Sequence, residues 1–129
     1  MLDVVIAAGD LALRNLLAGN VRTAGHHVEC VGDGEELNTI LVSRAFDVVI
    51  ADIQAPGLNA IDLLRRLRID GSHADAILIA GSGEVREAVT ALKEGASDYL
   101  TQPVDVDEFS LRIQRIGDQI EISRIRGAV

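Results

Sequence analysis

The sequence predicts an α/β fold, a (βα)5 three-layer sandwich built on a parallel five-stranded sheet. Three observations lead there. Short apolar runs recur along the chain, at about 2–7, 27–31, 46–51, 76–80 and 98–100. Between them lie amphipathic stretches with apolar residues at helical spacing, the pattern of strands joined by crossover helices. The chain has 129 residues, 48% of them apolar and 25% charged, which suits one domain with its own core and leaves no room for a second.

Leu2–Ala7 reads as a buried strand, and Leu11–Ala24 as a helix turning Leu13, Leu16, Leu17 and Val21 inward until Gly25 stops it. His27–Val31 is the second strand. Gly32-Asp33-Gly34 then turns into a helix over Glu35–Ser43 with Leu37, Ile40 and Leu41 inward. Phe46–Ala51 is a third, apolar strand ending at Asp52; Pro56 and Gly57 form the loop before a helix over Ala60–Ile69 that buries Ile61, Leu64 and Leu67. Ala76–Ala80 is the fourth strand. The helix at about Val85–Lys93 places Val85, Ala88, Val89 and Leu92 on its inner side and is closed by Gly95. Asp98–Leu100 is a short fifth strand, and Val106–Ile116 begins the last helix with Phe109, Ile113 and Ile116 in register.

Parallel strands need crossovers, and these put helices on both faces of the sheet. The flavodoxin-like strand order 2-1-3-4-5 is the common solution at this size. Sites in such sheets form beyond the carboxyl ends of the strands, where the order reverses between strands 1 and 3. That rule points at Ala8, Gly9, Asp10, Asp52, Ala80 and Gln102.

A net charge of −8 opposes binding to phosphate backbones and anionic membrane surfaces, so no direct nucleic-acid or membrane contact is expected. Cys30 is the single cysteine, read as a small apolar residue within a strand; with no intrachain disulfide available, a cytoplasmic setting fits. The N-terminus carries Asp3 and no basic region, and no apolar run approaches the roughly 18 residues of a membrane span. The domain is taken as 1–129, with 117–129 a linker or tail.

Asp52 follows Val48-Val49-Ile50-Ala51, which presents its carboxylate at the open edge of the sheet, where a nucleophilic carboxylate is useful. Turn formation or helix capping is the plainer use of an aspartate there. Two segments add weight. Phe46-Asp-Val-Val-Ile-Ala-Asp52-Ile-Gln-Ala-Pro-Gly57 and Gly95-Ala-Ser-Asp-Tyr99-Leu-Thr-Gln-Pro103 both resemble the receiver domains of response regulators in bacterial two-component signalling. The resemblance spans residues 2 to about 116. Glu84–Tyr99 is most similar to receivers of nitrogen-regulator-type enhancer-binding activators.

The resemblance implies that a histidine kinase passes a phosphoryl group to the aspartate after strand 3, here Asp52, with Mg²⁺ held partly by two acidic residues after strand 1. Those positions are Ala8 and Gly9. The remaining oxygen donors, Asp10, Asp52 and Gln54, would hold an octahedral cation poorly. The family's hydroxyl residue at the end of strand 4 corresponds to Ala80, and its lysine before the proline to Gln102. Alanine donates no hydrogen bond, and glutamine brings no positive charge. Phosphoryl transfer rests on positioning and electrostatic stabilisation. Losing one stabilising contact costs on the order of 10²–10³ in rate, so phosphorylation of Asp52 is expected to be very slow or absent. Tyr99 matches the family's switch aromatic, which above Ala80 has no hydroxyl to follow. Pro103 matches the proline after a cis peptide, and a cis Gln102–Pro103 bond is expected.

Other features carry less. Gly81-Ser-Gly-Glu-Val-Arg86 lacks the third glycine of a dinucleotide fingerprint and reads as helix entry. A flavin phosphate after strand 1 would meet Asp10 and find no serine or threonine. His26, His27 and His73 match no metal spacing and read as surface residues. Ile116, Ile120, Ile122 and Ile125 run beyond the length needed to cover the sheet, the mark of either a partner-binding or linker helix or a frayed tail past Gly117.

The expected function is that of a pseudo-receiver, a regulatory domain without enzymatic activity or cofactor. It would bind a histidine kinase or output domain, or a second copy of itself, through the fourth helix, fifth strand and last helix. The first alternative is a working phosphoacceptor in which Mg²⁺ is held with help from Asp10, regulating an output domain such as a transcription activator. A small-ligand or flavin domain on the same fold ranks below both.

Overall fold

The computed structural model describes residues 1–127. Five strands alternate with five helices: β1 (Asp3–Ala7), α1 (Leu11–Thr23), β2 (His27–Val31), α2 (Gly34–Ser43), β3 (Val48–Asp52), α3 (Ala60–Ile69), β4 (Asp75–Ala80), α4 (Val85–Lys93), β5 (Asp98–Thr101) and α5 (Val106–Gly127). The strands are all parallel, in the expected order β2-β1-β3-β4-β5.

Central strands buried on both faces need apolar residues along their length, which is why β1, β3 and β4 are apolar apart from one aspartate at an end of each, Asp3, Asp52 and Asp75. Successive side chains go to opposite faces. Val5, Ala7, Val49, Ala51, Ala76, Leu78 and Ala80 join a core with Leu37, Leu63, Leu64, Ala88 and Ala91 from α2, α3 and α4. Val4, Ile6, Val48, Ile50, Ile77 and Ile79 join a second core with Leu17, Val21, Phe109, Ile113 and Ile116 from α1 and α5.

Side-chain caps fix where the helices begin, each satisfying N–H groups that have no partner within the helix. Asp33 accepts from the Glu36 N–H at 2.8 Å, Asn59 from Asp62 at 3.0 Å, and Asp105 from Asp107 and Glu108 at 2.9 and 3.1 Å. Gly95 ends α4 at φ +111°, a left-handed conformation open to glycine, while the Ala96 N–H reaches back to the Ala91 carbonyl at 2.9 Å.

Several expected inner faces are rotated. In α1 Leu16 is exposed and Ala18 takes its place in the core. In α3 Leu63 is buried while Ile61 is only half-buried. In α4 the buried residues are Ala88 and Ala91, whereas Val89 and Leu92 are 40% and 37% exposed. Small residues let a helix lie close to the sheet, so the contact stripe runs along the alanines and the larger side chains flank it. The third strand starts at Val48; Phe46 precedes it, buried, with the Arg44 guanidinium 4.6 Å from its ring centre. Cys30 does lie within β2, but its side chain is exposed, because β2 is an edge strand.

The last helix does not fray at Gly117. It continues to Gly127, and Arg124 near its end forms an ion pair with Asp47 at 3.3 Å. Glycine costs about 1 kcal/mol in a helix interior, a small debit against the packing of Phe109, Ile113, Ile116 and Ile120. Residues 128–129, the end of the expected tail, lie outside the described part. No helix among the described residues is long and apolar enough to cross a membrane.

Candidate functional site

The strand order reverses between β1 and β3, and the residues singled out there by the sequence gather at the carboxyl ends of β1, β3, β4 and β5. Asp52 ends β3 and is 4% exposed, the one buried charged side chain among the described residues. The Gln54 backbone N–H donates to its Oδ1 at 3.0 Å. The loop's backbone also ties to the sheet, as the Ile53 N–H donates to the Ile79 carbonyl at 2.9 Å. Asp52 is therefore held rigidly at the sheet edge. Burial pushes its carboxyl above the usual aspartate range; the Gln54 N–H opposes this, while the nearby negative charges of Glu84 and Asp10 add to it.

Asp10 does not turn its full carboxylate on Asp52. It is the N-cap of α1, its Oδ1 accepting from the Ala12 and Leu13 N–H groups at 2.8 and 3.3 Å. Ala8 is fully buried, its N–H donating to the Val31 carbonyl at 3.1 Å. Gly9 lies under Pro56, and a Cβ there would come within 2.9 Å of the Pro56 Cδ. The Gln54 side chain is exposed.

Ala80 is fully buried at the end of β4, and its carbonyl accepts from the Gln102 N–H at 2.9 Å. Gln102 is half-buried and precedes Pro103 across a cis peptide bond, as expected. Tyr99 is half-buried and packs on the same apolar cluster that contains Ala80. Position 80 carries no hydroxyl that could couple an anion on Asp52 to the Tyr99 ring.

Divalent-cation binding does not fit these residues. Ala8 and Gly9 bring no side-chain oxygen, one oxygen of Asp10 is spent on the helix cap, and one of Asp52 is spent on Gln54. Among the described residues no group of three or more histidine, cysteine or acidic side chains could hold a metal ion. Mg²⁺ prefers octahedral oxygen ligands, including one or two carboxylates, and the two residues directly after β1, Ala8 and Gly9, supply none.

One residue escaped the sequence reading. The sequence places Glu84 in a helix entry and at the start of the Glu84–Tyr99 resemblance and gives it no role at the site, yet it is half-buried beside the site, its Oε1 accepting from the Gly81 N–H at 3.3 Å. Its spacing three residues after Gly81, the register in which an acid reaches back to the first N–H of a turn, was the available signal. The histidines lie away from this edge. His26 accepts from the Leu2 N–H at Nδ1 (3.0 Å), and His27 sits 3.4 Å from Asp3.

Residues 4–114 match the response regulator receiver domain, and the chain belongs to that family. PmrA of Pseudomonas aeruginosa, a response regulator protein, is 34% identical over 113 residues, covering 88% of this chain and 51% of PmrA. FleR of the same organism, also a response regulator protein, is 33% identical over 102 residues, or 79% of this chain and 22% of FleR. The chain thus spans about half or less of the length of these relatives. Among solved structures, the receiver domain of NtrX from Brucella abortus superposes with a TM-score of 0.80 at 26% identity, covering 88% of this chain and 97% of that one. Full-length FixJ from B. japonicum gives 0.86 at 29%, over 98% of this chain and 62% of FixJ. The expected likeness to nitrogen-regulator-type receivers has its counterpart in NtrX. Receiver domains are signalling modules of two-component systems that interact with kinases or output domains.

Proposed function

We propose that this chain is an atypical receiver that signals by protein–protein interaction without an aspartyl phosphate. The observation that carries this reading is the set Ala8, Gly9, Ala80 and Gln102 around a buried, correctly placed Asp52. The acceptor is in position, but the oxygen ligands, the hydroxyl and the cation that would stabilise phosphoryl transfer are replaced by side chains that cannot serve. Tyr99 stays in one packing arrangement, and the domain has one signalling state set by its partner.

The partner is a histidine kinase or an output domain, and it meets the face of α4, β5 and α5. Exposed apolar side chains support that choice: Val89 and Leu92 on α4, and Val106 and Leu111 on α5. A homodimer would use the same face, and the part of α5 beyond Gly117 would serve as a linker helix. The reading carries no enzymatic activity and no direct nucleic-acid contact, in keeping with the net charge of −8. A cytoplasmic setting and an output in transcription regulation complete it.

The test is incubation of the purified protein with acetyl phosphate or phosphoramidate, with and without Mg²⁺, read by intact mass beside Asp52→Asn. No gain in mass is expected. A Mg²⁺-dependent gain of one phosphoryl group that Asp52→Asn lacks would make this a working phosphoacceptor with Asp10 as the ligand to examine.

A further inference from the structure

Glu84 has a place in the site that helix entry alone does not explain. A glutamate three residues after the first residue of a turn commonly bonds back to that residue's N–H. Here the N–H belongs to Gly81, the residue after Ala80 at the carboxyl end of β4. Asp52 is paired with Ile79 across the β3–β4 ladder, so Gly81 follows two residues beyond the partner of Asp52, at the same carboxyl end of the sheet. The Gln54 side-chain amide, though exposed, comes close to Gly81. A Cβ at Gly81 would lie 3.2 Å from both Gln54 Nε2 and Glu84 Oε2, so the three groups converge on one small opening.

We infer that the Glu84 carboxylate is a built-in anion that occupies the donor group at the end of β4 and closes the mouth over Asp52 to external oxyanions. The inference rests on the reading of the chain as a receiver that works without phosphate, and gives that reading a physical agent within the chain. An oxyanion entering above Asp52 needs donors, and the Gln54 and Gly81 backbone N–H groups are engaged by Asp52 and Glu84 respectively. It would also meet the negative charge of Glu84, which with Asp10 already raises the proton affinity of Asp52. None of Ala8, Gly9, Ala80 and Gln102 supplies a compensating cation.

The experiment compares wild type, Glu84→Ala and Glu84→Gln by ¹H–¹⁵N NMR of the whole chain, with inorganic phosphate as the probe. Glu84 is only half-buried, so both variants should fold, and Glu84→Gln keeps an acceptor for Gly81 while removing the charge. Without phosphate, the Gly81 amide proton should move upfield in Glu84→Ala and largely hold its place in Glu84→Gln. Phosphate should shift the Gly81 and Gln54 amides saturably in Glu84→Ala, with at least about a tenfold gain in affinity over wild type, the change that loss of one opposing charge produces. A Gly81 amide indifferent to Glu84→Ala, or equal phosphate binding by wild type and variant, would overturn the plug and leave the functional reading intact. Uptake of a phosphoryl group by wild type from acetyl phosphate would overturn both.

Discussion

The Gly34 N–H donates to the Pro56 carbonyl at 2.8 Å, tying the start of α2 to the loop that follows Asp52. The approach is so close that a Cβ on Gly34 would lie 2.3 Å from the Gly57 carbonyl oxygen and 2.8 Å from the Leu58 Cα. Backbone atoms cannot give way as a flexible side chain can. The loop that places the Gln54 N–H on Asp52 thus rests on a glycine outside the site.

Gly34→Ala should therefore cost about 1–3 kcal/mol, the usual range for overpacking a tight contact. Urea denaturation measures the loss. The amides of residues 53–58 should move in the NMR spectrum while those of α4 stay put. A variant as stable as wild type would mean that the loop is free to lift away.

The exposed flank of α4 leads to a pair of opposite expectations. Ala88 is fully buried, so Ala88→Leu should destabilise by about 1–3 kcal/mol. Leu92 is 37% exposed, and Leu92→Ala should cost under about 1 kcal/mol, with any loss of partner binding exceeding the loss of stability. Denaturation midpoints of the two variants check this. The reverse ranking would restore the inner face expected from periodicity.

That reversal marks the limit of what the sequence made legible. Strand order, the crossovers, the gathering of Asp52 with Ala8, Gly9, Ala80 and Gln102, and the cis bond before Pro103 all followed from apolar runs and motif resemblance. Which side of a helix is buried did not, where alanine forms the contact stripe. Hydrophobic periodicity places Val89 and Leu92 beside Ala88 on the inner side and passes over Ala91, although close helix–sheet approach favours the smaller side chain. Asp10 was read for metal chemistry because of its place after strand 1. Its position just before an apolar periodic segment also fits a helix cap, and that is the role the structure gives it. Glu84 is only partly legible: its bond to Gly81 follows from local spacing, but its nearness to Asp52 comes from the β3–β4 ladder, which pairs Asp52 with Ile79 two residues before Gly81 and so joins distant segments.

The ion pair between Arg124 and Asp47 ties the end of α5 to the segment before β3. Both side chains are partly exposed, at 53% and 25%, so the pair should contribute under about 1 kcal/mol. Arg124→Ala is expected to leave the midpoint of unfolding nearly unchanged. Amide exchange over residues 120–127 should quicken and that over residues 109–116 should not. Unaltered exchange at the helix end would show that packing of Ile120, and not the ion pair, holds it.

The pH dependence of stability gives a test of Asp52 itself. Its folded proton affinity is raised, first by burial and then by Glu84 and Asp10, with the Gln54 N–H opposing. The native state therefore binds more protons than the unfolded chain in the interval between the ordinary aspartate pKa and the raised one. Stability linked to this group is fully present below the unfolded value and is lost as pH rises through the folded value. At neutral pH the buried carboxylate is then a net cost. Asp52→Asn keeps the size, and its side-chain oxygen still accepts from Gln54, so it should stabilise the protein at pH 7 and raise its Tm. The difference from wild type should shrink as pH falls toward the ordinary carboxylate range. Thermal melts of both proteins across pH 4 to 8 measure it. A wild type that is the more stable at pH 7 would mean that the Gln54 hydrogen bond outweighs burial and the like charges of Glu84 and Asp10.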